Sequence, residues 1–493
     1  MPGKVYLVGV GPGDPGLLTL RGAEILKRAE AVLYDRLISD ELLGLVPEDA
    51  VKINVGKRSG AHSVPQERIN RLLLEYALDG KTVVRLKGGD SFVFGRGGEE
   101  LELLWKNNVP FEVVPGITSA AAVPAYAGIP VTHRGTASAV HIITAHTKEG
   151  INPDMDLSAY AKIGGTLVFL MGASLLGYIM RGLIDGGMDR YTPCAVIERG
   201  ATPRQRKTLG TISDIEKKVG RVESPAVIVV GGVCELSDRY DWFSRLPLYG
   251  KRIAVTGKCE KLSPMLRELG AEVTDCPSIR TEPILDRRAS FRLKREIGEY
   301  DTMVFTSANG VKYVMDALYG IGFDARVFGG KIMAAIGPAT AEALKGHGIV
   351  SDIMPEKYSG KALARALKKA AARGGRLLLL RAETPGREIN DILDESGIEY
   401  RDKAVYRTVP ECTVDVTEPI NRGMIDYVTF ASGSAVRGFM NLHTNIEISG
   451  FKAVCIGEST AAEAKRSGMR CITAEKTTLK SIVEAILTDQ EGT

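Results

Sequence analysis

No apolar run in this 493-residue sequence reaches the roughly 18 residues that a membrane-spanning helix needs, which excludes an integral helical membrane protein. The seven cysteines, at 194, 234, 259, 276, 412, 455 and 471, contain no C-x-x-C pair and form no even set. That argues against zinc and against a disulfide framework, and for reduced, mostly buried thiols in a cytoplasmic protein with no metal. The start, MPGKVYLVG, enters a strand at once and does not read as a signal peptide. A net charge of +4 is too small to argue for nucleic acid. The two common nucleotide signatures are missing as well. In VGVGPGDPGLLTL, residues 8–20, a G-x-G-x-x-G count from Gly9 and Gly11 arrives at Asp14, and no Gly-Lys-Ser/Thr follows.

What is present is an ordinary globular composition, 44% hydrophobic and 25% charged, in enough chain for two to four domains. Short apolar runs alternate with helical patterns: KVYLVGV, then RGAEILKRAEAVLY, then TVVRLKGGD, then a helix over EELELLWKNN. This is an α/β rhythm. The stretch SDRYDWFSRLPLYGKR interrupts it and places a boundary near Leu248, giving domains 1–245 (subdomains about 1–116 and 117–245) and 249–493. The second domain repeats itself at an offset of about 120–125 residues. GKRIAVTG answers GGRLLLLR, DTMVFTSANGVKYVMDAL answers DYVTFASGSAVRGFMNL, and KIMAAIGPATAEALKGHGI answers FKAVCIGESTAAEAKRSGM. Two similar α/β lobes follow, one of about 249–280 plus 411–493 and one of about 283–407. SIRTEP and VYRTVP serve as a pair of crossing strands, and a ligand fits between the lobes.

The first domain carries its chemistry at strand ends. The Gly-Pro-Gly-Asp-Pro loop lets backbone approach a flat ligand while proline keeps it rigid, and the missing third glycine removes a pyrophosphate seat. The expected ligand is nucleoside-like without a diphosphate. RLKGGDSFVFGRGGEE supplies Gly88, Gly89 and Asp90, the last suited to ribose hydroxyls. VVPGITSA adds Thr118 and Ser119, FLMGAS adds Met171, and VIERGATPRQR adds Gly200.

These motifs carry a resemblance. VGVGPGDPGLLTLRG, LYDRLIS, VGKRSG, RLKGGD, VPGITSA and GIPVTHR stand in the order and at the spacing of the uroporphyrinogen-III C-methyltransferases, a tetrapyrrole methylase group, and the likeness covers the entire first half. It implies a tetrapyrrole methylase fold of two α/β subdomains that bind S-adenosylmethionine. Pro12, Gly88, Gly89, Asp90, Val93, Thr118, Ser119, Met171 and Gly200 match the cofactor contacts. Asp35 and Lys57 match the proton acceptor and donor. Ser91 departs from the family, which usually has proline there. A substrate with eight carboxylates gives Arg36, Lys57, Arg58, His62, Arg85, Lys87, Arg96, His133 and Arg134 a shared purpose, charge-assisted hydrogen bonds to acid side chains. A homodimer through this half is expected.

The second half resembles the uroporphyrinogen-III synthases, with flavodoxin-like lobes and the TSANGV, AIGPAT, TFASGSAV and CIGEST turns. The implied reaction closes linear hydroxymethylbilane with loss of water and inversion of one ring, and chiefly requires that carboxylates be held at helix N-termini. Thr306, Ser307, Asn309, Thr340, Ser432, Ser434, Ser459 and Thr460 lie at those turns. Tyr406 matches the family's cleft tyrosine and is the candidate for assisting hydroxyl departure, with Tyr358 second. The expected function is synthesis of uroporphyrinogen III and its double methylation to precorrin-2, for sirohaem or cobalamin. The competing reading is a methylase for another corrin precursor fused to a non-catalytic tetrapyrrole-binding half.

Overall fold

The first strand is apolar throughout rather than alternating, and Val5–Gly9 and Val83–Lys87 are buried along their whole length. That is the mark of a parallel sheet covered on both faces. The structure is a computed structural model that describes residues 2–36, 38–56, 64–147, 150–151, 155–371 and 375–491. In it β1 (Val5–Gly9), β2 (Ala31–Tyr34), β3 (Val51–Asn54), β4 (Val83–Lys87) and β5 (Phe111–Val114) form a parallel sheet in the order β3-β2-β4-β1-β5. Successive side chains of β1 go to opposite faces. Val5 and Leu7 pack with Ile69, Leu73 and Leu104, whereas Tyr6 and Val8 pack with Ile25, Leu26 and Leu42.

A second sheet follows. It contains β6 (Val140–Thr144), β9 (Thr166–Leu170), β10 (Pro193–Glu198), β11 (Arg206–Thr211) and β12 (Ala226–Val230) in the order β11-β10-β12-β9-β6, while β7 (His146–Thr147) and β8 (Gly150–Ile151) pair separately. Here β12 runs antiparallel to both β9 and β10, so β6, β9 and β10 point the same way.

Backbone contacts divide the chain into two compact units, residues 1–251 with Leu269–Glu272, and residues 252–268 with 273–493. The second unit has two sheets. One holds β13 (Arg252–Val255), β14 (Glu272–Asp275), β20 (Tyr427–Phe430), β21 (Lys452–Cys455) and β22 (Cys471–Thr473) in the order β14-β13-β20-β21-β22. The other holds β15 (Ile279–Pro283), β16 (Thr302–Phe305), β17 (Ile332–Ala335), β18 (Leu377–Ala382) and β19 (Tyr400–Pro410) in the order β15-β19-β18-β16-β17. The internal repeat reappears as topology: β13, β20 and β21 in one sheet occupy the places of β18, β16 and β17 in the other. An isolated parallel bridge from Ala334 to Ile353 stands where β22 stands beside β21. β15 and β19 run antiparallel, from Ile279 opposite Pro410 to Pro283 opposite Tyr406.

Helices in both units start from side-chain caps just after parallel strands. Thr118, Ser307 and Ser432 accept from the backbone N–H groups of Ala120, Gly310 and Ala435 respectively. Each such cap is worth about 1 kcal/mol and fixes where the chain opens at a strand end.

Candidate active sites

β1, β4 and β5 end side by side, and their terminal glycines meet backbone to backbone. Gly11 N–H donates to the Gly89 carbonyl at 3.1 Å, and Gly89 N–H donates to the Gly11 carbonyl at 2.9 Å. A Cβ on Gly9 would stand 2.7 Å from both Gly116 N and Gly89 O, and one on Gly116 would stand 2.2 Å from Gly89 O. Only glycine permits this approach. Gly89 itself has φ 67°, yet a Cβ there would meet only Ser119 N at 3.8 Å, so its outer side is open. The result is a floor of bare backbone with room above it. Sequence reasoning assigns Gly88 and Gly89 but passes over Gly9 and Gly116, whose close packing is a tertiary fact carried by no local spacing.

The remaining cofactor candidates surround that floor. Pro12 lies in the loop between Gly11 and Gly13, and a Cβ on Gly13 would strike the Ala201 carbonyl at 2.5 Å, which brings this loop against the one carrying Gly200. Gly200 is pressed on Val123, whose Cγ1 would be 2.2 Å from an added Cβ. Its neighbours Arg199 and Ala201 have φ 50° and 57°, and Met171, just past β9, has φ 57°. Non-glycine residues held in this region store strain and mark sites whose geometry is imposed by their surroundings. Met171 is 49% exposed, so it is not a core residue. Thr118 and Ser119 open the helix Ser119–Tyr126, with the Thr118 hydroxyl bound to Ala120 N–H. Asp90 is more occupied than its sequence role suggests. Its Oδ1 accepts from Phe92 N–H at 2.8 Å and Val93 N–H at 3.1 Å, and its Oδ2 accepts from Gly116 N–H at 3.0 Å. The carboxylate therefore braces the turn containing Val93 against the end of β5, with one lone pair on Oδ2 remaining for a ligand.

Asp35 directly follows β2, the neighbour of β4, and its Oδ1 accepts from Arg85 Nη2 at 2.7 Å. The other reactive candidate, Lys57, falls with Arg58 and His62 outside the described residues. The expected ring of substrate-binding cations needs correction. Arg85 and Lys87 are buried along β4, where Arg85 Nε and Lys87 Nζ each donate at 3.0 Å to Glu100 Oε1. Their charges serve the protein interior. The sequence gives no warning, because a strand covered on both faces normally carries apolar residues at these positions. Arg96 is exposed and forked onto Glu99 at 2.9 and 2.6 Å. His133 Nδ1 lies 3.3 Å from Thr136 Oγ1, while Arg36 and Arg134 are exposed.

In the second unit the helix N-termini of both lobes follow parallel strands. Thr306 lies just beyond β16, and Ser307 caps the helix Ala308–Tyr319 on which Asn309 sits. Ser432 caps Gly433–Leu442, and Ser434 on that helix accepts from Arg437 Nη2 at 3.3 Å. Ser459 is exposed, whereas Thr340 and Thr460 are only 3% and 2% exposed and lie inside the first turns of their helices. Tyr358 is half exposed and rests on Gly337, 3.2 Å from an added Cβ. Tyr406 is 8% exposed and packs in the lobe core with Phe305 and Val311. Its hydroxyl lies 3.0 Å from Ser307 Oγ, and its ring stacks on Tyr313 at 5.5 Å. Burial raises its pKa, partly offset by the Ser307 hydrogen bond, so the phenol stays protonated at neutral pH.

Two known protein families match separate parts of the chain. The tetrapyrrole (corrin/porphyrin) methylase family matches residues 4–216, and the uroporphyrinogen-III synthase HemD family matches residues 260–484. The "Porphyrin biosynthesis protein HemD" of Ruminiclostridium josui is 44% identical over 98% of this chain and 98% of its own length. The "Uroporphyrinogen-III C-methyltransferase" of Bacillus subtilis is 42% identical over 72% of this chain and 74% of its own. "Siroheme synthase 2" of Cronobacter sakazakii is 51% identical over 49% of this chain, which spans about half of that relative, 52%. The chain belongs to the enzymes that fuse an S-adenosylmethionine-dependent uroporphyrinogen-III C-methyltransferase to a uroporphyrinogen-III synthase.

Proposed function

We propose that the second unit closes hydroxymethylbilane to uroporphyrinogen III and that the first methylates that ring twice to precorrin-2, for sirohaem or cobalamin. The observation that carries the methylation reading is the glycine floor with its open face at Gly89, next to a carboxylate held at the end of the adjoining strand. These residues fit S-adenosylmethionine: bare backbone admits a flat adenosine, Met171 offers an exposed apolar side chain, and there is no third loop glycine to seat a diphosphate. When bound, the cofactor supplies an electrophilic methyl group on its sulfonium. The chain's part is then to hold that group in line with a pyrrole carbon and to receive the proton which that carbon releases. Asp35 is our proton acceptor, fixed by Arg85, and Lys57 the donor.

In the second unit Ser307, Ser432 and Ser459, with the N–H groups of their helices, receive the substrate carboxylates, and the neutral Tyr406 hydroxyl donates to the departing hydroxyl. Thr340 and Thr460 shape the turns from within. We also propose the division 1–245 and 249–493, and a homodimer through the first half. Calorimetry tests the cofactor site: Asp90→Ala should weaken S-adenosylmethionine binding at least tenfold, because both the ligand carboxylate and the brace on Val93 and Gly116 are lost. Unchanged affinity would remove Asp90 from the site.

A further inference from the structure

We infer that Glu100 is a positioning residue for methyl transfer, setting the Arg85 guanidinium that in turn sets the Asp35 carboxylate. The inference rests on Asp35 being the proton acceptor. Glu100 is fully buried in the first turn of the helix Gly97–Lys106. Removing a carboxylate from water costs several kcal/mol, so it persists in such a place only when strongly paired. Its Oε1 takes three donors, Arg85 Nε at 3.0 Å, Lys87 Nζ at 3.0 Å and Gln66 Nε2 at 3.1 Å. Its Oε2 has no hydrogen-bond partner among the described residues. The carboxylate is thus oriented by one edge only, and that edge faces β4.

Arg85 leaves nothing to chance in the other direction. Nη1 donates to the carbonyls of Leu33 at 3.4 Å and Leu86 at 3.1 Å, which sets the plane of the fork, and Nη2 reaches Asp35 at 2.7 Å. With Nε on Glu100, the planar group is held on three sides, and Asp35 receives its partner in one geometry. Charge points the same way. Arg85 and Lys87 face Glu100 and Asp35, two against two. Gln66 from the neighbouring helix is neutral and is tied to Asn70 at 3.0 Å, while Arg96 and Glu99 at the start of Glu100's own helix are paired to each other. Without the Glu100 charge, two buried cations would face Asp35 alone. Burial, and then Arg85, already lower the Lys87 pKa, with Glu100 and Asp35 opposing, so the cluster depends on both carboxylates.

The test uses the full chain with uroporphyrinogen III and S-adenosylmethionine. Glu100→Gln keeps the shape and one acceptor but removes the charge. Arg85→Lys keeps the charge but is unable to span both carboxylates, and it decides the matter alone if Glu100→Gln does not fold. We expect kcat to fall at least tenfold in either, with KM for S-adenosylmethionine within twofold of wild type. In an Asp35→Asn background, where the positioned group is gone, adding Glu100→Gln or Arg85→Lys should cost no further activity. Equal losses with and without Asp35, or wild-type kcat in both single variants, would overturn the inference. Wild-type kcat in Asp35→Asn itself would instead overturn the proton-acceptor reading on which it rests.

Discussion

At the scale of single residues, the glycines of the first unit make opposite demands despite sharing one floor. Gly116→Ala places a methyl group 2.2 Å from the Gly89 carbonyl, a clash with backbone that no rotamer relieves. Gly89→Ala meets open space and bears only the strain of φ 67°, about 1–2 kcal/mol. Gly116→Ala should therefore abolish S-adenosylmethionine binding and unfold the unit more readily, whereas Gly89→Ala should leave a folded protein with weakened binding. Ser91 offers a gain instead. It is fully buried, and its hydroxyl has no hydrogen-bond partner among the described residues. Ser91→Ala removes an unsatisfied polar group worth about 1 kcal/mol and should raise the melting temperature of that unit by about 2–4 °C, read by calorimetry. A lowered melting temperature would mean that water or ligand satisfies the hydroxyl. Gly11, Gly13 and Gly89 announce themselves by motif. Gly9, Gly116 and Glu100 lie in the same motifs, but their roles do not show there, because they arise from three strands and a helix converging, which no spacing along one segment encodes.

At the scale of elements, strand ends and helix starts were the most legible part of the sequence. The TSANGV and TFASGSAV turns mark caps because serine before a helical pattern satisfies orphan N–H groups, and Ser307 and Ser432 stand there. What an element buries was less legible. Arg85 and Lys87 look in the sequence like ligand-facing cations, whereas both are buried on β4 and donate to Glu100. Tyr406 combines both cases, since β19 buries its ring while its hydroxyl reaches the cap Ser307. Ser307→Ala should cost the lobe about 1 kcal/mol of stability and reduce ring closure. Tyr406→Phe should reduce ring closure at nearly unchanged stability near neutral pH. The raised Tyr406 pKa also has a sign. Its stabilising contribution is fully present below the unfolded value near 10 and is lost as pH rises through the folded one. Tyr406→Phe should then resist alkaline unfolding better than wild type, and identical alkaline transitions would show that the phenol is not held neutral.

At the scale of the whole molecule, the two compact units each carry complete sheets and helices of their own. The repeat in the second half was readable from sequence as paired motifs, and it became two sheets of matching strand order because equivalent apolar strands find equivalent neighbours. The antiparallel β15 and β19 joining them were foreshadowed by SIRTEP and VYRTVP. No helix among the described residues is long and apolar enough to cross a membrane. Residues 249–493 alone should make uroporphyrinogen III without S-adenosylmethionine, and residues 1–247 alone should methylate supplied uroporphyrinogen III while ignoring the linear bilane. The most direct measurement is product analysis after incubating the purified full chain with hydroxymethylbilane, with and without S-adenosylmethionine. The account predicts uroporphyrinogen III without the cofactor and its dimethylated product with it. Only the symmetrical type I ring that forms spontaneously, or a type III ring left unmethylated in the presence of the cofactor, would contradict it.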